Sequence, residues 1–312
     1  MTISVLVATR NRAEPLLRCL ESVAAQKPAP HEVIVLDDAS DAVDVAAVVV
    51  RARLPGVRVI RSDAPLGVAA GRNRMSREAT GDVLLVLDDD AALEGTRCLA
   101  ELDQALQAHP TAGIIALRIV DHRSGAEHIL APFRAHDLRR DPGIVDRPQL
   151  VAYFLGGAHA MRKTVYDATG GYHEHFVFGE EELDISYRAI QAGHEIFYAP
   201  NVVVHHYPAP SVLRVTGQRH PELFYHMRNR VFLARRYLPA THVVPYLAIW
   251  LARYGVAALR RPLGAGPREA GDLSDLFGGM LSAWRHRHEH PRTPLHGRAL
   301  RYIRNHHGRL WF

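Results

Sequence analysis

Short apolar runs alternate along the chain with stretches in which apolar positions recur every three or four residues. Residues 3–8 form a first apolar run that ends on Thr9-Arg10-Asn11. Leu16, Leu17, Leu20, Val23 and Ala24 then recur at helical spacing, with Pro15 in the first turn. The same unit repeats: an apolar run at 33–36 closing on Asp37-Asp38, a helix over 43–53, a strand at 57–60, and a helix over 68–79. A fourth run, 83–87, closes on Asp88-Asp89-Asp90, and is followed by a helix over 96–108 and a strand at 113–119. Strands that are apolar throughout, each followed by a helix, predict a parallel sheet covered on both faces.

Beyond residue 120 the pattern loosens into a stretch rich in His, Arg, Asp and Pro that runs to Pro148, which reads as a loop or small insertion. Order returns with the apolar run 151–155, the pair Gly156-Gly157, a helix around 163–168, a strong helix over 181–192, and Val202 to Val204 before His205-His206. The part after Pro221 reads as mostly helical.

Composition narrows the class. The chain has 312 residues, 47% hydrophobic and 23% charged, which is ordinary for a globular α/β protein with an appendage. Cys19 and Cys98 are the only cysteines, so neither a disulfide framework nor a Cys-based zinc site is expected. The N-terminus lacks the pattern of a secretory signal, and the expected location is the cytoplasm. Residues 1–205 carry 21 Lys and Arg against 28 Asp and Glu, whereas 206–312 carry 17 against five, so the two parts face different surroundings. Only Lys27 and Lys163 are lysines, and no nucleic-acid-binding motif accompanies the arginines, so nucleic acid is not expected as a partner.

Three acidic clusters carry the chemistry. Asp37-Asp38 and Asp88-Asp89-Asp90 fall at the carboxyl ends of predicted strands, where open α/β sheets bind ligands. Adjacent carboxylates there suit Mg²⁺ or Mn²⁺, although a solvated acidic turn also accounts for them. Glu180-Glu181-Glu182 with Asp184 opens a helix; capping explains one acid, and a general base would explain more. His205 and His206 offer imidazoles that carboxylate-bound metals accept, and Arg72 offers a guanidinium to phosphate oxygens.

In this order the motifs resemble the family 2 glycosyltransferases, over roughly residues 1–206. They are Val5-Leu6-Val7-Ala8-Thr9-Arg10-Asn11-Arg12, Val35-Leu36-Asp37-Asp38-Ala39-Ser40, Gly67 to Arg72-Asn73, and Leu87-Asp88-Asp89-Asp90. Gly156-Gly157 to Arg162, Glu181-Glu182-Leu183-Asp184 with Arg188 and Gly193, and Pro200 to His206 complete them. The resemblance implies a GT-A fold, a Rossmann-like and mostly parallel sheet sandwiched by helices, with 1–206 as the catalytic domain and 207–312 as a helical basic extension. It implies an inverting, metal-dependent transfer from a nucleoside-diphosphate sugar, of UDP or dTDP type, to a hydroxyl acceptor in polysaccharide or glycolipid synthesis. The alternatives are transfer to a small natural product, a non-catalytic sugar-nucleotide-binding scaffold, and a metal-dependent nucleotidyltransferase.

By the same resemblance, Thr9, Arg10, Asp37, Asp38, Arg72, Asp88 and Asp89 would bind the donor. Asp88, Asp90 and His206 would hold Mn²⁺ or Mg²⁺, with His205 the less favoured imidazole. Glu182 would be the base, with Glu181 and Asp184 as alternatives, since the family more often has Asp at that place. Gly156 and Gly157 would lie on the acceptor side. The stretch 121–148 is a candidate lid. The basic extension would meet the inner membrane face, the acceptor or a second subunit; residues 243–259 are too short and too interrupted by Arg253 to span a bilayer.

Overall fold

In a computed structural model, residues 1–123, 127–208, 222–259, 273–289 and 291–308 are described. The chain begins β1 (Ile3–Thr9), α1 (Ala13–Ala24), β2 (Glu32–Asp37), α2 (Val45–Arg51), β3 (Val57–Arg61), α3 (Val68–Glu78) and β4 (Val83–Asp88). It continues β5 (Ala91–Leu93), α4 (Cys98–Ala108), β6 (Ala112–Asp121), β7 (His128–Leu130), α5 (Ala135–Arg140), β8 (Gln149–Val151), β9 (Ala158–Arg162), α6 (Lys163–Thr169), α7 (Glu181–Gln191) and β10 (Glu195–His206). Helices α8 (Glu222–Tyr237), α9 (Ala240–Leu259), α10 (Leu273–Arg285) and α11 (Gly297–Asn305) follow.

One sheet runs β3-β2-β1-β4-β9-β6-β10-β5, with β7 added to β6 and β8 to β10. Its first four strands are mutually parallel, as the apolar runs predict, and β6 pairs with β10 in parallel. Strand β9 departs from that reading by entering antiparallel between β4 and β6, and β5 runs antiparallel to β10. The sheet is therefore mixed. Alternate residues of β1 explain why its run is apolar throughout: Leu6 packs into the core on one face, and Val5 and Val7 into the core on the other.

The register positions the site. Thr9 of β1 stands beside Asp37 of β2, and Ala8 beside Asp88 of β4, so the acidic clusters share one edge of the sheet. Strand β10 shifts register between Ala199 and Val203, where Pro200 has no N–H to donate, and then brings His206 beside Asp121 of β6.

The C-terminal helices share the core of one sheet face. Among the described residues, Met227, Phe232, Tyr237 and Ile303 belong to the same buried cluster as Met75, Tyr153 and Leu183. The tail is docked as well: α11 buries Ala299 and Ile303, and the Tyr302 hydroxyl accepts from the Ile196 N–H at 3.0 Å.

The stretch 121–148, expected to act as a lid, is anchored over its described residues. Ala131, Phe133, Ile144 and Val145 are buried, and the Tyr153 and Tyr198 hydroxyls donate to the carbonyls of Phe133 and Val145. These few apolar residues, scattered among charges, hold the segment to the sheet. Among the described residues, no helix is long and apolar enough to cross a membrane.

Candidate active site

The Arg72 guanidinium sits at the centre of the acidic edge. Its Nη1 donates to Glu181 Oε1 at 2.8 Å, and its Nη2 to Asp88 Oδ1 at 3.1 Å and to the Gly156 carbonyl at 2.8 Å. Three chain segments that are remote in sequence meet on one buried cation. The Asp88 and Glu181 charges hold Arg72 well above its ordinary value despite burial. Burial raises the Glu181 carboxyl, opposed by Arg72 and assisted by Asp88 and Glu180. The two glycines make room here: a Cβ on Gly156 would lie 3.4 Å from Glu181 Oε1, and one on Gly157 3.5 Å from Asp88 Oδ2.

The acids of the Asp88-Asp89-Asp90 run divide their work. Asp89 accepts from the Thr9 hydroxyl at 2.7 Å and from Arg12 Nη1 at 2.7 Å, and Arg12 also reaches Asp90 at 3.0 Å. Burial pushes Asp89 up to about 6, with Arg12 opposing and Asp90 adding to the rise. The side chain of Asp88 is 41% exposed, against 6% for Asp90, so Asp88 is the open face of the cluster.

His206 completes the group. Its Nε2 lies 3.3 Å from Asp90 Oδ1, and its Nδ1 lies 3.1 Å from Asp121 Oδ1. Burial disfavours the imidazolium, but the Asp90 and Asp121 carboxylates outweigh it and push His206 up to about 9. Asp88, Asp90 and His206 each offer a ligand atom, and these atoms lie within 4.8 Å of one another. That donor set of two carboxylates and one imidazole suits an ion of the Mn²⁺ type. His205, the neighbouring candidate, bonds elsewhere: it lies 2.9 Å from His122 and 3.1 Å from Glu94.

Helix α7 begins on a strained turn. Gly179 and Glu180 both have positive φ, 73° and 71°, and for Glu180 that conformation is uncommon. Helix α8 holds the turn in place. Asn229 donates to the carbonyls of Phe178 and Gly179 at 2.9 and 2.7 Å, and Arg230 pairs with Glu180 at 2.7 Å. The three acids that follow sit in different surroundings. Glu181 is on Arg72, Glu182 is half-buried, and Asp184 is fully buried, accepting from the Tyr237 hydroxyl at 2.6 Å and from Arg188 Nε at 2.9 Å.

The Asp37-Asp38 pair braces loops. Asp37 Oδ1 accepts from the Ser40 N–H at 2.9 Å, and its other oxygen pairs with Arg61. Asp38 accepts from the N–H groups of Leu66 and Gly67, at 2.7 and 3.1 Å, and from the Ser62 hydroxyl at 3.0 Å. Arg10 is half-buried beside this edge, at the end of β1. Sequence reasoning assigned no role to Arg12, Asp121, Asn229 or Arg230. Arg12 and Asp121 carry a faint signal, since each stands at or just past the end of a strand.

Relatives agree with this architecture. The family model described as Glycosyl transferase family 2 matches residues 4–170. An uncharacterised glycosyltransferase of Bacillus subtilis, YwdF, is 37% identical over 90 residues, 29% of this chain and 33% of its own length. The pre-mycofactocin glycosyltransferase of Mycobacterium tuberculosis is 29% identical over 210 residues, 65% of this chain and 42% of its own length. The chain thus spans about a third to two fifths of the length of these two relatives. Among solved structures, Staphylococcus aureus TarS 1–349 in complex with UDP-GlcNAc superposes with a TM-score of 0.61 at 16% identity, covering 91% of this chain and 80% of that one. GalNAc-T7 with UDP, GalNAc and Mn²⁺ superposes with a TM-score of 0.59 at 16% identity, covering 93% of this chain and 58% of that one, and both share the GT-A fold. The match over more than half of the chain means that this protein belongs to glycosyl transferase family 2.

Proposed function

We propose that the protein transfers a sugar, with inversion, from a uridine or thymidine diphosphate sugar to a hydroxyl acceptor in cell-surface polysaccharide or glycolipid synthesis. The observation that carries this reading is the convergence of Asp88, Asp90 and His206 within 4.8 Å at the sheet edge that Arg72 links to the start of α7. Donors of that chemistry, with Gly157 leaving space beside Asp88 and His206, fit a divalent cation. Such a cation supplies positive charge against a leaving diphosphate.

The remaining work falls to this chain's own groups. Asp88, as the solvent-open carboxylate, faces the donor; Asp90, fixed by Arg12 and His206, is the buried ligand. Glu182, half-buried in the first turn of α7, takes the proton from the acceptor hydroxyl, while Glu181 pairs with Arg72 and Asp184 with Arg188 and the Tyr237 hydroxyl. Attack from the side opposite the diphosphate inverts the anomeric centre. Gly156 and Gly157 let backbone approach the acceptor. The uridine preference draws on TarS and GalNAc-T7, whose structures hold UDP or a UDP sugar, and the polysaccharide setting on relatives such as the O-antigen biosynthesis protein RfbC of Myxococcus xanthus.

The test is thermal stabilisation by UDP, dTDP, GDP, CDP and ADP, each with and without Mn²⁺, on wild type and Asp90→Ala. A ligand that binds only the native state raises the melting temperature. Stabilisation by UDP or dTDP that requires Mn²⁺ and vanishes in Asp90→Ala is expected. No stabilisation by any diphosphate, with or without Mn²⁺, would overturn the metal-dependent donor site.

A further inference from the structure

Helix α10 carries more apolar surface than its packing consumes. Leu276, Gly279 and Ala283 face the core, and a Cβ on Gly279 would collide with the Phe224 carbonyl oxygen, so α10 meets α8 backbone to backbone. Leu273, Phe277, Leu281 and Trp284 follow one another at i, i+4, i+8 and i+11 and therefore share a different side of the helix. Phe277 and Trp284 are each 59% exposed, and Leu273 and Leu281 are also exposed. Single exposed apolar residues are common, but a continuous strip with two large aromatics is not.

The strip is framed in positive charge. Arg285 and Arg287 follow it, and the guanidinium carbons of Arg235 and Arg287 lie 5.8 and 4.8 Å from the centre of the Trp284 ring. Burial lowers the Arg235 guanidinium pKa, and repulsion from Arg287 and Arg292 lowers it further, so like charges crowd together here. The wider region from 206 to 312 holds 17 arginines and five acids.

We propose that this face of α10 rests on an anionic lipid surface, with Phe277 and Trp284 entering the headgroup layer and the surrounding arginines meeting lipid phosphates. Apolar burial and cationic attraction then act on one surface, as in interfacial helices. A second copy of the chain is a poorer occupant, because a two-fold contact would set these arginines against their own kind. The lipid plane would lie one helix layer from the acidic turn, since α8, directly beneath α10, also holds Phe178, Gly179 and Glu180. The proposal does not depend on the sugar transferred or on the metal.

The experiment is flotation of the full chain with vesicles of phosphatidylcholine alone and of phosphatidylcholine with phosphatidylglycerol, at low and high salt. Wild type is expected to bind the anionic vesicles at least about tenfold better than the neutral ones, and to lose most of that preference at high salt. Phe277→Gln with Trp284→Gln, and separately Arg285→Gln with Arg287→Gln, should each lower binding about tenfold while circular dichroism and melting stay unchanged, because these side chains are exposed. Two results would overturn the proposal: equal binding of both vesicle types, or full binding by the aromatic double variant. Conversion of a wild-type dimer to monomer by that variant, without loss of lipid binding, would assign the strip to self-association instead.

Discussion

Arg72 and Glu181 form an ion pair at 2.8 Å in which each side chain is only 4% exposed. The same guanidinium reaches Asp88, so a single buried cation ties the end of β4 to the start of α7. Removing one member of a buried pair leaves the other charged and unsatisfied. Arg72→Met should therefore cost about 3–5 kcal/mol in urea denaturation. Glu181→Gln should cost less, because an amide oxygen still accepts from Arg72 and because burial already raises the Glu181 carboxyl. A loss below about 1 kcal/mol for Arg72→Met, the range of an exposed pair, would remove Arg72 from its central place.

The first turn of α7 separates catalysis from support. Glu182 is half-buried, whereas Asp184 is enclosed with Tyr237 and Arg188. Glu182→Gln should lower kcat by about 10²–10⁴-fold with the melting temperature unchanged, the effect of losing a general base. Asp184→Asn should instead lose about 1.5–3 kcal/mol of stability, the worth of a hydrogen bond to a charged group. The reverse pattern, a stability loss at Glu182 and a pure rate loss at Asp184, would move the base to Asp184.

Much of this arrangement is legible in sequence, and the limits have physical causes. Strands β1 to β4 are readable because both faces are buried, which makes each a continuous apolar run ending in polar residues. Strand β9 is not, since Ala158–Arg162 reads as small and polar; its His159 is buried against Phe154 and Tyr172, a setting that only the tertiary fold supplies. Strand β5 directly follows Asp90 and is three residues long, too short for a periodic signal. Candidate ligands Asp88, Asp90 and His206 could be named from motifs, but the partners that aim them could not. Arg12 depends on the packing of β1 beside β4, and Asp121 on the shifted register of β10. Helix α11 gives only a weak apolar signal because its buried face offers little beyond Ala299 and Ile303.

Asp121 and His205 provide a paired test of the metal assignment. Asp121 contacts His206 from the side away from Asp90, the position of a carboxylate that orients a ligating imidazole. Asp121→Asn should weaken Mn²⁺ binding by about 10–100-fold even though Asp121 is not itself a ligand. His205→Ala should leave Mn²⁺ affinity at the Asp88, Asp90 and His206 group close to that of wild type, since the His205 imidazole lies outside that group and is held by His122 and Glu94. Equilibrium Mn²⁺ titration reads both, and equal losses in the two variants would contradict the division of labour between the adjacent histidines.

The last prediction concerns pH. Burial lowers the His206 imidazolium pKa, but the Asp90 and Asp121 carboxylates outweigh it and push it up to about 9, above the ordinary value of 6.5. A folded-state pKa raised above the unfolded one contributes stability in full below about 6.5, and that contribution is lost as pH rises to about 9. With chelator present, wild type should therefore lose melting temperature across this window more steeply than His206→Asn. A divalent ion takes the neutral imidazole, so its binding must expel the proton that Asp90 and Asp121 hold there. The rise in melting temperature caused by Mg²⁺ should consequently grow from pH 6.5 to 9 in wild type and stay nearly flat in His206→Asn. Parallel curves for the two proteins, with and without the ion, would show that His206 is neither the titrating group nor a ligand.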